Sequence, residues 1–349
     1  IRFSMADTTW SIDNLELRSE NGSLSAQGNY YGPDSLAFSL TCDTINLTPV
    51  FDFYLPRQGL AGIGRFEASL KGSISAPRFD LKGAIDSVRF QEQYYGLMDF
   101  DIDYSDSTLH ITRLTLVSGE NSSSFSGTIP INLAFEEVEE RIIVDRDINI
   151  DVDATSTPLF LLPVVLPDVE WVEGENKLDM MLTGQPNNPE FSGSFRLRDG
   201  RVKFFYLQNV LEKVDADVTF SGRQLILDSI VTRAKTGGRI GYARLTGTIS
   251  LEHLMKPELD IELDAGNFPF KYDLGDISGE IDEAYLTIEG QDTISVRGDV
   301  KLLSFRYAEP LQPAIEAEAI AAADTANKLN YHINLTAPSN LKVVNNDFD

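Results

Sequence analysis

The sequence predicts an all-β chain, an antiparallel sheet that grows along one axis from repeats of about 105–115 residues. The first observation behind this is alternation. SLAFSL (35–40), FEASL (66–70), MDFDIDY (98–104), INIDVDA (148–154), VDADVTF (214–220), LDIEL (259–263) and YHINL (331–335) all place apolar residues at every second position, the pattern of strands with one apolar and one wet face. The second is the spacing of breakers. ENGS, YSDS, SGENSSS, QPNNP and FSGR punctuate the alternating runs, and turn signals this frequent suit up-and-down strand connections. No strand–helix–strand alternation occurs, which excludes a doubly wound nucleotide-binding sheet. AIEAEAIAAADTANK (314–328) is alanine-rich enough for a helix but also alternates at its start, so it suits either state.

The third observation is internal repetition. LKGSISAPRFDLKGAID (70–86) returns as LTGQPNNPEFSGSF (182–195). Gly72, Gly184 and Gly290, spaced 112 and 106 residues apart, each close an alternating strand: FEASLKG, LDMMLTG and AYLTIEG. Gly28, Gly127 and Gly247, in QGNYYG, SGTIPI and TGTISL, form a second set 99 and 120 residues apart. GQDTISVRGDVKL (290–302) keeps Gly290 and Gly298 but lacks the proline, so the last copy is degenerate. The expected organisation is a partial repeat over 1–58, groove repeats over 59–170 and 171–274, and a partial, degenerate repeat over 275–349. Together these form one continuous sheet within a longer protein.

Such a sheet must hide its apolar face by folding into a sandwich, closing as a solenoid or curling into an open trough. Period two places Leu36, Phe38, Leu40, Phe66, Leu70, Phe100, Ile102, Tyr104, Ile148, Ile150 and Val152 on the inward face. It does the same for Met180, Leu182, Val214, Ala216, Val218, Phe220, Leu259, Ile261, Leu263, Ile333 and Leu335. Asp101, Asp103, Asp215, Asp217, Asp260 and Glu262 then face water. Alternation reports burial and not what does the burying, so the inward set reads as ordinary core or as the lining of a groove. TPVFDFYLP (48–56), TPLFLLPVVLP (157–167) and NFPFKY (267–272) break the alternation. They suit an apolar plug or one helical turn closing the sheet edge, or a lip that touches acyl chains.

Composition narrows the function by exclusion. With 54 acidic against 29 basic residues the formal charge is −25, and long-range electrostatics oppose nucleic acid or an anionic membrane as a partner. EEVEER (136–141) is short and mixed and reads as a solvated loop. Cys42 is the single cysteine, so neither a disulfide framework nor a cysteine zinc site is available. DRDINIDVD (145–153) imitates the opening of a calcium loop. It carries Ile150 where the sharp turn needs glycine and Ser156 where a bidentate Glu is needed, so an exposed strand face explains it better. His110, His253 and His332 stand apart, and no nucleophile elbow, phosphate loop or dinucleotide fingerprint is present. No catalytic residue, metal or cofactor is expected.

The ordered set of features resembles the AsmA-like and TamB family of Gram-negative envelope proteins. The resemblance is carried by TPLFLLPVVLP, VEGENKLDMMLTGQPNNPEFSGSFRLRDGRV, LEKVDADVTFSGRQLIL and ARLTGTISL, and again by TPVFDFYLP through SGTIPI. The closing INLTAPSNLKVVNNDFD is similar to a segment of the TamB C-terminal region. The resemblance implies an elongated sheet curled into a taco-like groove, anchored in the inner membrane and lying in the periplasm. Its implied role is passage of phospholipids between inner and outer membranes, with phospholipid acyl chains on the inward residues named above. It also implies a BamA-type outer-membrane barrel and inner-membrane proteins as partners. The alternatives are an envelope scaffold for outer-membrane protein assembly and a sealed structural or adhesive β-rod.

Overall fold

The first residues to take their places are the alternating runs, each of which is a strand. The structure, a computed structural model, describes residues 2–6, 9–19, 22–49, 59–90, 93–119, 121–155, 169–236, 238–252, 257–272, 277–307, 328–337 and 341–343. The chain is all-β, as its alternation predicts, with twenty strands among the described residues. It forms two compact units: Ile1–Pro158 with Leu178–Phe191, and Leu159–Lys177 with Ser192–Asp349.

In the first unit β1 (Arg2–Ala6), β2 (Thr9–Ser19), β3 (Gly22–Tyr30), β4 (Leu36–Asn46) and β5 (Leu60–Gly72) begin a meander. It continues through β6 (Pro77–Phe90), β7 (Gln93–Ser105), β8 (Thr108–Ser118), β9 (Asn121–Pro130) and β10 (Ile148–Thr155). Each strand pairs antiparallel with the next. β11 (Val169–Gln185) and β12 (Asn188–Phe204) follow; Leu178–Gln185 and Asn188–Phe191 belong to the first unit and the rest of both strands to the second.

The second unit continues with β13 (Leu211–Gly222), β14 (Gln224–Thr236), β15 (Arg239–Ser250), β16 (Glu258–Tyr272), β17 (Ile277–Gly290) and β18 (Thr293–Tyr307). From β13 to β18 the pairing is again antiparallel between neighbours. β19 (Lys328–Thr336) and β20 (Leu341–Val343) depart from this, because both pair with β18 in parallel. A parallel partner needs a crossover rather than a tight turn, and residues 308–327 separate β18 from β19. That interval holds nearly all of the alanine-rich stretch, which lies outside the described residues apart from Lys328. TPLFLLPVVLP and all of TPVFDFYLP beyond Thr48 and Pro49 also lie outside them, whereas NFPFKY forms the end of β16.

The three spaced glycines that close strands share one backbone role. Gly72, Gly184 and Gly290 have φ of +106°, +85° and +125°, each at the entry to a hairpin turn. Positive φ is accessible to glycine without steric cost. A side chain would also collide there: a Cβ on Gly72 would lie 2.4 Å from the Ala76 carbonyl oxygen, and one on Gly290 2.1 Å from that of Thr293.

Burial is concentrated in small clusters. In the first unit Leu47, Ile85 and Phe100 are buried and collect Phe66, Leu81, Ile102 and Leu114 around them. In the second, Leu197, Val214 and Ala216 form one cluster and Ala265, Phe268 and Ala284 another. The charged residues between the apolar positions form cross-strand pairs on the wet side, Lys82–Asp101 at 3.3 Å, Arg198–Asp217 at 2.6 Å and Arg233–Asp215 at 2.9 Å. The hydrogen bond from Arg233, with a second from the Asp199 backbone N–H, lowers the pKa of Asp215 below its ordinary carboxylate value. These pairs are well exposed, so they order the outer surface more than they stabilise the fold.

Candidate functional site: the apolar sheet face

Strand register resolves which side chains share a face, since directly opposed residues project to the same side of a sheet. In the first unit one row reads Leu15, Ala26, Leu40, Ala68, Leu81, Ile102, Ile111, Gly127, Ile150. It crosses nine strands without a polar side chain. The next row is Leu17, Leu24, Cys42, Phe66, Gly83, Phe100, Leu114, Phe125, Val152, and the row on the other side is Ile12, Gly28, Phe38, Leu70, Phe79, Tyr104, Leu109, Ile129. Leu36 opposes Tyr30 and Gly72 at the end of the same face. Ile148 lies two positions before Ile150 on β10, and Met180 and Leu182 alternate on β11 with the exposed Asp179 and Met181.

The second unit repeats the construction. Ala216, Ile230, Leu245, Leu263, Leu286, Gly298 and Ile333 form one row, and Val218, Leu227, Gly247, Ile261, Ile288, Val296 and Tyr331 the next. Phe220, Leu225, Ile249 and Leu259 flank them on one side. Ala243, Ala265, Ala284, Val300 and Leu335 flank them on the other. Val214 is buried in the cluster it shares with Ala216. Ile333 and Leu335, by contrast, stand on β19 at 37% and 59% exposure.

Bulges keep these rows continuous where the sequence slips out of period two. Between Ile12 and Leu15, Ile111 and Leu114, and Leu227 and Ile230, one strand carries a residue more than its partner. The extra residue is absorbed by the bulge, so the apolar side chains before and after it stay on one face. Opposite the start of each bulge sits a glycine of the second spaced set: Gly28 against Ile12, Gly127 against Ile111 and Gly247 against Leu227. Gly127 and Gly247 share φ near +140°, and an added Cβ would lie 2.0 Å and 2.2 Å from the carbonyl oxygens of Asn149 and Asp260. The spacing of these glycines in sequence therefore reflects a repeated register device.

Most of the face is half-buried. Phe38, Leu40, Phe66, Leu70 and Ile102 all fall between buried and exposed, while Phe100, Tyr104 and Val152 are buried at 7%, 2% and 2% exposure. All the β1–β10 strands lie in the ladder itself, and the segment 131–147 between β9 and β10 reaches over the face. Its Leu133 N–H donates to the Tyr104 hydroxyl at 2.8 Å, and its Phe135 N–H to the Ile74 carbonyl at 2.8 Å. Arg146 Nη1 donates to the Asp106 carbonyl at 2.7 Å. Ala134 is driven to 3% exposure. Between this strap and the sheet lies a cavity of about 690 Å³ lined by Phe38, Leu40, Leu70, Phe79, Leu81 and Leu133, among others, with Arg141 at its wall.

EEVEER thus belongs to a strap whose glutamates are exposed, preceded by a half-buried Leu133 and a buried Ala134, while Phe135 stays exposed. The only sequence sign of this was LAF at 133–135, directly before the acidic run. Asn149, Asp151 and Asp153 form the exposed side of β10. Cys42 sits within the apolar rows, and burial, reinforced by the neighbouring Asp43 charge, raises its thiol pKa. That keeps it protonated and makes it a packing residue.

No family model matches the chain, and no curated protein or solved structure matches it.

Proposed function

We propose that the chain is a segment of a periplasmic lipid conduit, whose apolar face holds phospholipid acyl chains while the headgroups remain in water. The observation that carries this reading is the row from Leu15 to Ile150, apolar or glycine across nine strands and largely half-exposed. A sealed rod would bury such a face throughout, whereas acyl chains need a continuous dry surface that stays reachable from one side. Transfer along it needs no catalytic group; the bulges and glycines supply what it does need, an apolar stripe kept in register. The likeness of the sequence to AsmA-like and TamB proteins supports the same reading, with an inner-membrane anchor and a BamA-type barrel as the corresponding partners.

Lipid extraction of the gently purified chain, followed by mass spectrometry, tests the proposal. Co-purifying phospholipid, or its uptake from phospholipid vesicles by the stripped protein, is the expected result. A protein that is lipid-free as isolated and takes up none from vesicles contradicts it.

A further inference from the structure

We infer that the compartment beneath the 131–147 strap is a discrete binding site for a single-chain amphiphile with a carboxylate headgroup, held by Arg141. The inference rests on the reading of the sheet face as a surface for acyl chains and adds to it a headgroup preference at one place. At about 690 Å³ the cavity is of the size of ordinary small-ligand sites, and its lining is aliphatic and aromatic. Arg141 is the one cation on its wall among the described residues.

The hydrogen bonds of Arg141 leave its reactive edge free. Nη1 donates to the carbonyls of Asn132 and Ala134, both at 3.1 Å, which spends the two hydrogens of that nitrogen and orients the guanidinium. The hydrogens on Nε and Nη2 form no bond to a described residue, and no carboxylate lies within ion-pair distance of Arg141 among the described residues. That pair of donors is the planar fork that takes a carboxylate with two parallel hydrogen bonds. The acyl chain would lie on Phe38, Leu40, Leu70 and Phe79.

The surroundings favour a single negative charge. Asp80 borders the cavity along β6, but it alternates with Phe79 and Leu81, so its carboxylate lies on the opposite face, where it accepts from the Ser69 hydroxyl at 2.9 Å. Glu136, Glu137, Glu139 and Glu140 are exposed on the same strap. One cation in this company balances a monoanionic carboxylate, whereas a phosphate monoester brings close to two charges and would be repelled.

The test is calorimetric titration of the full chain with laurate, dodecanol and dodecyltrimethylammonium, which share a chain and differ in headgroup charge. Laurate is expected to bind about tenfold or more tightly than dodecanol, the range for hydrogen bonds to a charged group. Arg141→Gln should bring laurate down to the dodecanol level and leave dodecanol unchanged; Arg141→Lys, which keeps the charge without the fork, should fall between. Equal binding of laurate and dodecanol by the wild type, or preference for the cation, overturns the inference while leaving the acyl-chain reading intact. The wild-type comparison decides this even if a variant misfolds. Failure of all three probes to bind overturns both.

Discussion

Replacing Gly127 with alanine is expected to destabilise the β9–β10 ladder far more than the same change at Gly119. Both glycines have positive φ, +141° and +63°. At Gly119 an added Cβ meets nothing within 4 Å, so only the backbone preference is lost, a cost of about 1 kcal/mol. At Gly127 the same atom would lie 2.0 Å from the Asn149 carbonyl oxygen and 2.8 Å from the Ile150 Cα. Both contacts are backbone on the paired strand, so neither can rotate away. Holding the strained conformation costs about 1–3 kcal/mol, and relieving the clash requires β10 to separate from β9. Urea unfolding with native-state hydrogen exchange checks this. The expected outcome is a lower midpoint and faster exchange in β9 and β10 for Gly127→Ala, with Gly247→Ala behaving alike at β15–β16. Equal costs at 119 and 127 would remove the register role given to the glycine.

Phe100→Asp carries the second large effect. Phe100 is 7% exposed, packs with Leu47 and Ile85, and opposes Gly83 and Leu114 in the apolar rows. Truncating a buried phenylalanine costs about 3–5 kcal/mol on its own. An unpaired carboxylate in its place adds desolvation, which the group escapes only by protonation. The variant is expected to unfold at markedly lower urea, to regain stability as pH falls through its raised pKa, and to lose lipid. Asp103→Asn, on the wet side of the same strand, is expected to shift stability by no more than about 0.5 kcal/mol. Similar losses from both substitutions would mean that the two faces of β7 are wrongly assigned.

Much of this was legible in the sequence because period two is a direct consequence of the pleat. Phe38, Leu40, Phe100 and Ile102 in the first unit, and Val218 and Ile261 in the second, could be assigned to the apolar face of their own unit from alternation alone, and register within each unit places them there. The glycine spacings were legible too, but not their cause. That Gly28, Gly127 and Gly247 each face the start of a bulge depends on which strand lies alongside, a long-range fact that local pattern does not carry. Positive φ at Lys213 was likewise hidden, since a lysine occupies that region only when surrounding structure demands it. EEVEER is a solvated loop, as its charge indicates; what the local pattern did not carry is that the residues just before it are held by backbone groups of Leu133 and Phe135. The parallel placement of β19 and β20 had no signal in their alternation, which fits either direction.

The most direct measurement is site-specific photocrosslinking to lipid from adjacent positions on opposite faces. A photoreactive side chain at Ile102 or Val218 would project with the apolar rows, and one at Asp103 or Asp217 with the charged side. After incubation with phospholipid vesicles, crosslinked phospholipid is predicted from 102 and 218 and not from 103 or 217. Crosslinking from neither pair, or equally from both, would contradict an apolar face that carries acyl chains.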